Sequence, residues 1–283
     1  MIGMNALGQN GRLGNQMFQY AALVGIAKNL GYDHYIPDHS KVTWFDRMDG
    51  DQIITQHHQL QHLFEMNHLN GRFGEANEYD INLTQAEFCK ELFEGCPDGA
   101  TLYGYFESYH YFKDAEEEVR SDFTFRKNIL DAAKDFHSKL SNPVCLNVRR
   151  GKDFIRVQDY HPPCTEEYYK ECIELLGKNR QYLVISDDIE WCKTVFRGSN
   201  YHFSQNTPEG LLKGHYDLAV GALCDDFVIS NSTFSWWMSY LGTSPTKRIL
   251  APDPWFGAAL SHIDTEGYYP PNVEKVTREI VRI

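Results

Sequence analysis

The spacing of hydrophobic positions changes along this chain, and the changes mark its elements. Residues 2–7 form a short apolar run. A glycine-bearing loop follows, Gly8-Gln9-Asn10-Gly11-Arg12-Leu13-Gly14. From 15 to 30, Met17, Phe18, Ala21, Ala22, Leu23, Val24 and Leu30 recur at helical spacing, and Gly31 supplies a stop. Tyr35-Ile36-Pro37 reads as the close of a second strand. Strand, loop, helix and strand together begin a βαβ unit. Between 39 and 140 the pattern weakens. His57, His58, His62 and His68 fall in a polar, glutamine-rich stretch, and 115–119 and 129–140 read as helices. Ser141-Asn142-Pro143 marks a domain junction, because the residue before a proline is pushed out of the helical region.

The second half alternates regularly. Residues 144–148 read as a strand. Thr165 caps a helix with Glu166 and Glu167 in its first turn and Gly177 at its end. Residues 182–186 are a strand and 189–196 a helix; 211–223 are a helix and 227–230 a strand; 234–241 are a helix stopped by Gly242, and 248–251 a last strand. Strand–helix alternation at this spacing predicts an α/β fold with a parallel sheet covered on both faces. The division expected is residues 1–140 and 141–283.

Composition narrows the class without naming it. With 283 residues, 42% hydrophobic and 23% charged, the chain can build one large or two ordinary cores. No apolar run approaches the ~20 residues of a membrane span, and the first residues lack the basic start and apolar stretch of a secretion signal. A cytoplasmic enzyme is expected, with a peripheral position at a membrane that builds lipid-linked glycans compatible with this. The net charge of -12 excludes a nonspecific nucleic-acid binder. The seven cysteines form no C-x-x-C pair, so reduced core thiols are expected and a zinc site is not. Gly11-x-x-Gly14 is neither G-x-G-x-x-G nor a P-loop. Asp33 precedes the second strand instead of following it, which disfavours a dinucleotide oxidoreductase.

Against that acidic background, Arg149 and Arg150 stand directly after the apolar run 144–148. Two guanidiniums at a strand end suit a pyrophosphate, because the planar fork of donors matches phosphate oxygens at any working pH. Asp187 and Asp188 follow the next strand, and Asn231, Ser232, Thr233, Phe234 and Ser235 follow the third at a helix start. In a parallel sheet these loops share one edge, where ligands collect, and a helix N-terminus offers free N–H groups to an anion. The arrangement points to an enzyme acting on a nucleoside diphosphate sugar. Each piece alone has an ordinary reading as a cap or a solvated charge; their common position gives the functional one its weight.

Four stretches then carry a resemblance: 11–21 (GRLGNQMFQYA), 104–112 (GYFESYHYF), 184–193 (VISDDIEWCK), and Asp217-Leu218 through 229–237 (ISNSTFSWW), with Ala251-Pro252 and Trp255-Phe256 beyond. They resemble the family 11 glycosyltransferases, the bacterial-type α-1,2-fucosyltransferases. The resemblance implies a GT-B-like architecture of two Rossmann-like domains facing a cleft, with the acceptor on the N-terminal side and the donor on the C-terminal side. It implies GDP-β-L-fucose as donor, a galactose hydroxyl of a glycan as acceptor, inversion at the anomeric carbon, and no metal or other cofactor. Arg150 would hold the β-phosphate, Ser232 and Thr233 would lie near the diphosphate, Asp217 would hold the guanine, and Gly14 and Asn15 would bring the opposite domain's backbone to the phosphates. The family's His-x-Arg-Arg-Gly-Asp reads here Asn147-Val148-Arg149-Arg150-Gly151-Lys152-Asp153. Asn147 keeps hydrogen-bonding capacity but does not titrate. Asp153 is the first candidate base for the acceptor hydroxyl and His161 the second. Other readings are a transferase of another GDP-sugar, such as GDP-mannose or a deoxy relative, and a non-catalytic GDP-sugar or glycan binder. The sequence carries no signal for the acceptor's identity or for the oligomeric state.

Overall fold

The computed structural model describes residues 1–8, 10–36, 45–49, 52–56, 59–68, 80–83 and 87–282. Gln9, Pro37, His57 and His58 lie outside them. The chain forms two compact units: Met1–Arg126 with Ile263–Pro270, and Lys127–His262 with Pro271–Ile283.

The first unit contains β1 (Ile2–Gly3), α1 (Leu13–Leu30), β2 (His34–Tyr35), β3 (Phe45–Asp49), β4 (Gln52–Gln56), α2 (Leu60–Leu63), β5 (Asp80–Leu83), α3 (Lys90–Gly95), β6 (Thr101–Gly104) and α4 (Glu116–Asp122). Its parallel sheet runs in the order β2-β1-β6-β5, and β3 and β4 pair separately as an antiparallel ribbon. The long helix α1 is buried almost all round, so it lacks a polar stripe and carries even Gln16 and Gln19 inside. Gly31 ends it in the left-handed conformation, with its N–H turned back to the carbonyls of Ala27 and Lys28. Gly25 is where the chain running through Tyr111 and Phe112 crosses α1; a β-carbon there would overlap the Tyr111 carbonyl.

The second unit contains α5 (Lys127–His137), β7 (Val144–Val148), α6 (Lys152–Ile155), α7 (Glu166–Leu176), β8 (Tyr182–Ser186), α8 (Ile189–Val195), β9 (Tyr201–Phe203), α9 (Lys213–Ala222), β10 (Asp226–Val228), α10 (Thr233–Leu241), β11 (Ile249–Asp253) and β12 (Val273–Thr277). All six strands are parallel, in the order β12-β11-β10-β7-β8-β9. Alternate side chains of a strand face opposite sides. Val144, Leu146 and Val148 therefore join Tyr168, Tyr169 and Cys172 of α7 and Cys192 of α8 in one core. Cys145 points the other way, with its Sγ 3.2 Å from the Met238 sulfur of α10. The seven cysteines are free, and all but Cys89 are buried.

The unit boundary falls fourteen residues earlier than the Asn-Pro junction suggests. The expected division at 140/141 rests on a local breaker. The observed one rests on packing: the apolar face of α5, with Ile129 and Ala133 buried, lies against α9. The segment 263–270 returns to the first unit, so neither unit is one continuous stretch.

These crossings give a contrast in stability. Gly25→Ala should destabilise by at least ~1–3 kcal/mol, because a backbone carbonyl has nowhere to move. Gly221→Ala meets mainly the flexible end of Met238, besides the Ile185 methyl, and should cost less. Urea unfolding midpoints of the two variants against the parent measure the difference.

Candidate active site

The carboxyl ends of the second unit's strands all lie along one edge of the parallel sheet. Arg149 and Arg150 follow β7, Asp187 and Asp188 follow β8, Ser204 follows β9, Ser230 to Ser232 follow β10, and Pro254 and Trp255 follow β11. The hydrogen bonds confirm close approach between several of these loops.

The two arginines are not equivalent. The Arg149 guanidinium donates to Asp187 through Nη1 and to Asp153 through Nη2, the latter at 2.6 Å, and lies 5.0 Å from the Phe154 ring centroid. Its charge is answered by two carboxylates. Arg150 stacks over Trp191 at 4.3 Å. The Asp188 Oδ2 oxygen is 3.9 Å from Nε, too far for a hydrogen bond, and Nε is buried without one among the described residues. Arg150 is thus a cation held in place with donor capacity in reserve.

Asp187 builds this loop. Its Oδ1 accepts from the Arg150 backbone N–H at 2.7 Å and its Oδ2 from that of Gly151 at 2.8 Å. Gly151 is required here for space: a β-carbon would fall 2.5 Å from Asp187 Oδ2 and 2.9 Å from Asp153 Oδ1. Asp188 caps α8 by accepting from the Trp191 N–H at 3.2 Å. Trp191 also packs edge-on against Phe196 of the core, which fixes the ring under Arg150. The sequence reading placed no role on Trp191; its position three residues after a helix-capping acid was the available signal.

The turn before α10 is built the same way. Asn147 is buried and its Oδ1 accepts from the Ser230 hydroxyl at 3.0 Å. Asn231 donates to the carbonyls of Pro162 and Trp255. Ser235 donates to the carbonyls of Ser230 and Ser232, both at 2.8 Å. These three side chains face inward and shape the turn. Ser232 takes the N-cap position of α10 without a side-chain cap bond, and Thr233 and Phe234, both partly exposed, open the helix. That first turn lies at the sheet edge, with its N–H groups pointing back along the helix axis.

Asp217, assigned to guanine by the resemblance, is 5% exposed in α9 and already partnered. Its Oδ1 accepts from Ser204 at 2.6 Å and its Oδ2 from Lys213. Burial raises its pKa, and the Lys213 ammonium opposes that. His161 lies nearly parallel to Phe154, with centroids 6.0 Å apart, and tilts against Phe256 at 5.7 Å. Burial pushes its imidazole down to about 4. A neutral ring of such low basicity is poorly suited to take a proton at neutral pH. Asp153, the other candidate base, is held in the Arg149 ion pair.

Gly14 and Asn15 belong to the first unit, in the opening turn of α1. Asn15 Nδ2 donates to Glu107 Oε1 at 3.0 Å, and Glu107 Oε2 accepts from the Tyr268 hydroxyl at 3.1 Å. Glu107 lies inside the 104–112 stretch, yet nothing in its residue type singled it out. Among the described residues, no group of three or more His, Cys, Asp or Glu could hold a metal ion, and no helix is long and apolar enough to cross a membrane.

The family model described as Glycosyl transferase family 11 matches residues 1–262, and the chain belongs to that family. An alpha-1,2-colitosyltransferase of Escherichia coli is 28% identical over 270 residues, covering 87% of this chain and 90% of that protein. The galactoside 2-alpha-L-fucosyltransferase SEC1 of Bos taurus is 25% identical over 86% of this chain and 66% of its own length. Among solved structures, POFUT1 in complex with GDP aligns with a TM-score of 0.56 at 14% identity, over 88% of this chain and 97% of that one. The fucosyltransferase NodZ from Bradyrhizobium aligns at 0.54 with 11% identity, over 85% and 92%. The fold is the GT-B-like α/β fold of these proteins, and the chain is a glycosyltransferase.

The depressed His161 basicity has a signed consequence. The unfolded chain binds a proton at this histidine below its ordinary value of about 6.5, whereas the folded one does so only near pH 4. Stability contributed by the neutral ring is therefore complete above that value and is lost as pH falls toward 4. His161→Phe should flatten this part of the melting-temperature profile, by on the order of 2–3 kcal/mol at pH 4. Thermal melts of both proteins between those pH values check it.

Proposed function

We propose that the chain transfers L-fucose from GDP-β-L-fucose to a galactose hydroxyl of a glycan, forming an α-1,2 linkage with inversion and without a metal ion. The observation that carries this reading is Arg150: a guanidinium stacked on Trp191, its Nε buried and unbonded among the described residues, on the same sheet edge as the N-terminus of α10. Such a group suits an anion that gains charge during the reaction. Family membership supports sugar transfer, and the names of the bacterial and mammalian relatives support α-1,2 transfer to a galactoside. The GDP and GDP-fucose complexes of POFUT1 support a GDP-linked donor.

The step is one displacement. The acceptor oxygen forms a bond to the anomeric carbon from the face opposite GDP. The bond from that carbon to the β-phosphate oxygen breaks, and its electron pair leaves with GDP. Arg150 and the first-turn amides of α10, near Ser232 and Thr233, stabilise the departing charge more than the ground state. Arg149, Asp187 and Asn147 set the loop and turn that aim them. The acceptor proton goes to Asp153 in this reading; His161, neutral and weakly basic, fills space. Asp217 takes the guanine by exchanging Ser204 and Lys213 for the base's N–H donors. Gly14 and Asn15 are donor-contacting residues in this reading.

A second reading concerns the donor alone. The colitosyltransferase relative makes a deoxy counterpart of GDP-fucose a specific rival, and GDP-mannose is a third. Competition among these GDP-sugars, with a panel of galactose-terminated acceptors and with and without chelator, separates them. Fucosyl transfer undiminished by chelator is expected; turnover of GDP-mannose with none of GDP-fucose rejects the proposal. Arg150→Ala should lower kcat by ~10²–10³. Arg150→Lys should restore little, since an ammonium lacks the planar fork and the stacking face. Steady-state kinetics of the two variants checks both.

A further inference from the structure

Glu107 is the buried acid that this mechanism leaves unused. It is 8% exposed and follows the end of β6 by three residues. The residue before it, Phe106, adopts a φ of 53°, a left-handed conformation unusual for a bulky side chain. That backbone turn delivers the carboxylate between two partners distant in sequence, Asn15 at 3.0 Å and Tyr268 at 3.1 Å. The same stretch is tied a second time to the returning segment: the Ser108 hydroxyl and the Tyr109 N–H both donate to the Gly267 carbonyl at 3.0 Å. Gly267 has a φ of 74°, and a β-carbon there would run into the His110 ring. Tyr268 lies beyond the 1–262 span of the family match.

Asn15 Nδ2 and the Tyr268 hydroxyl both donate to the Glu107 carboxylate, which offers acceptors only. Burying a carboxylate is costly unless its bonds matter. We infer that Glu107 is a positioning residue: it holds the Asn15 side chain at the start of α1 so that Asn15 meets the donor, with Tyr268 bracing the carboxylate from behind. The inference rests on the donor-contact reading of Asn15.

Ionisation offers the discriminating readout. Burial raises the Glu107 carboxyl to about 7, and the bond from Tyr268 opposes the rise. Tyr268, from the returning segment, is the titratable group bonded to it; α1 contributes the uncharged Asn15, and no charged side chain among the described residues is paired with it. The carboxylate form accepts from both neighbours. On protonation the acid can donate to the Tyr268 oxygen, but it loses the charge that strengthened the bond from Asn15, which loosens Asn15.

The test titrates GDP calorimetrically into the full chain across neutral pH. The parent should bind GDP ~3–10-fold more weakly at about pH 6 than at about pH 8. Glu107→Gln, a neutral mimic of the same shape, should sit at the weaker level at both pH values. Glu107→Ala, which removes the carboxylate bond to Asn15, should bind ~10–100-fold more weakly than the parent at about pH 8. GDP's own ionisation is common to all three proteins and cancels in their ratios. Thermal melts identify any variant that fails to fold, and Glu107→Gln decides the question if Glu107→Ala does so. A pH dependence of Glu107→Gln equal to the parent's, or a folded Glu107→Ala with parental affinity, overturns the inference. A parent that binds no GDP at any pH overturns the donor reading itself, and this inference with it.

Discussion

The Asp187 carboxylate is the contact on which the rest of the candidate site depends. It accepts two successive backbone N–H groups, of Arg150 and Gly151, and also the Arg149 guanidinium. Charge-assisted bonds of this kind are stronger than neutral ones. They fold the chain tightly at the end of β7, where side chains would otherwise spray outward. Arg149 is consumed in the clamp, and Arg150 is turned onto Trp191 with its donors in reserve. Two adjacent cations thereby acquire different settings, one spent in construction and one with donors in reserve. An acidic chain can keep cationic donors uncommitted in this way, because its carboxylates bond to Arg149 and leave Arg150 Nε without a hydrogen bond among the described residues.

Much of the second unit was legible in the sequence because it follows simple periods. Strands 144–148 and 182–186 were read with their observed bounds, and the helix capped by Thr165 ends at Gly177 as expected. β9 and β12 were missed. The first is only three residues long, and both are edge strands with polar positions interleaved, so neither carries a continuous apolar run. β6 was missed for a related reason: a four-residue strand with a threonine and a glycine gives no pattern. The junction was misplaced because Asn142-Pro143 is a local signal, whereas the membership of α5 is decided by contact with α9, more than seventy residues away in sequence.

Within the site, residue type and position after a strand brought the right loops together, but the direction of each side chain was invisible. Asn231 and Ser235 were grouped with Ser232 and Thr233 at the helix start where an anion collects, and Asn147 was read for its hydrogen-bonding capacity. The bonds of Asn147, Asn231 and Ser235 show them holding the turn from beneath. Asp217 was read as available, yet its oxygens are engaged by Ser204, at the end of the missed strand β9, and by Lys213 one helical turn back. His161 illustrates the same limit. A histidine beside two prolines looks like an exposed loop residue, and only the aromatic rings of Phe154 and Phe256 around it reveal why it stays uncharged.

The returning segment 263–270 has a consequence for how the molecule comes into being. A chain emerges from the ribosome in order, and domains generally fold as units during synthesis. Here the first unit must wait for Ser108, Tyr109 and Glu107 to meet Gly267 and Tyr268, which are made after most of the second unit. The second unit also lacks β12 until then. The first unit is therefore completed only after most of the second has been made.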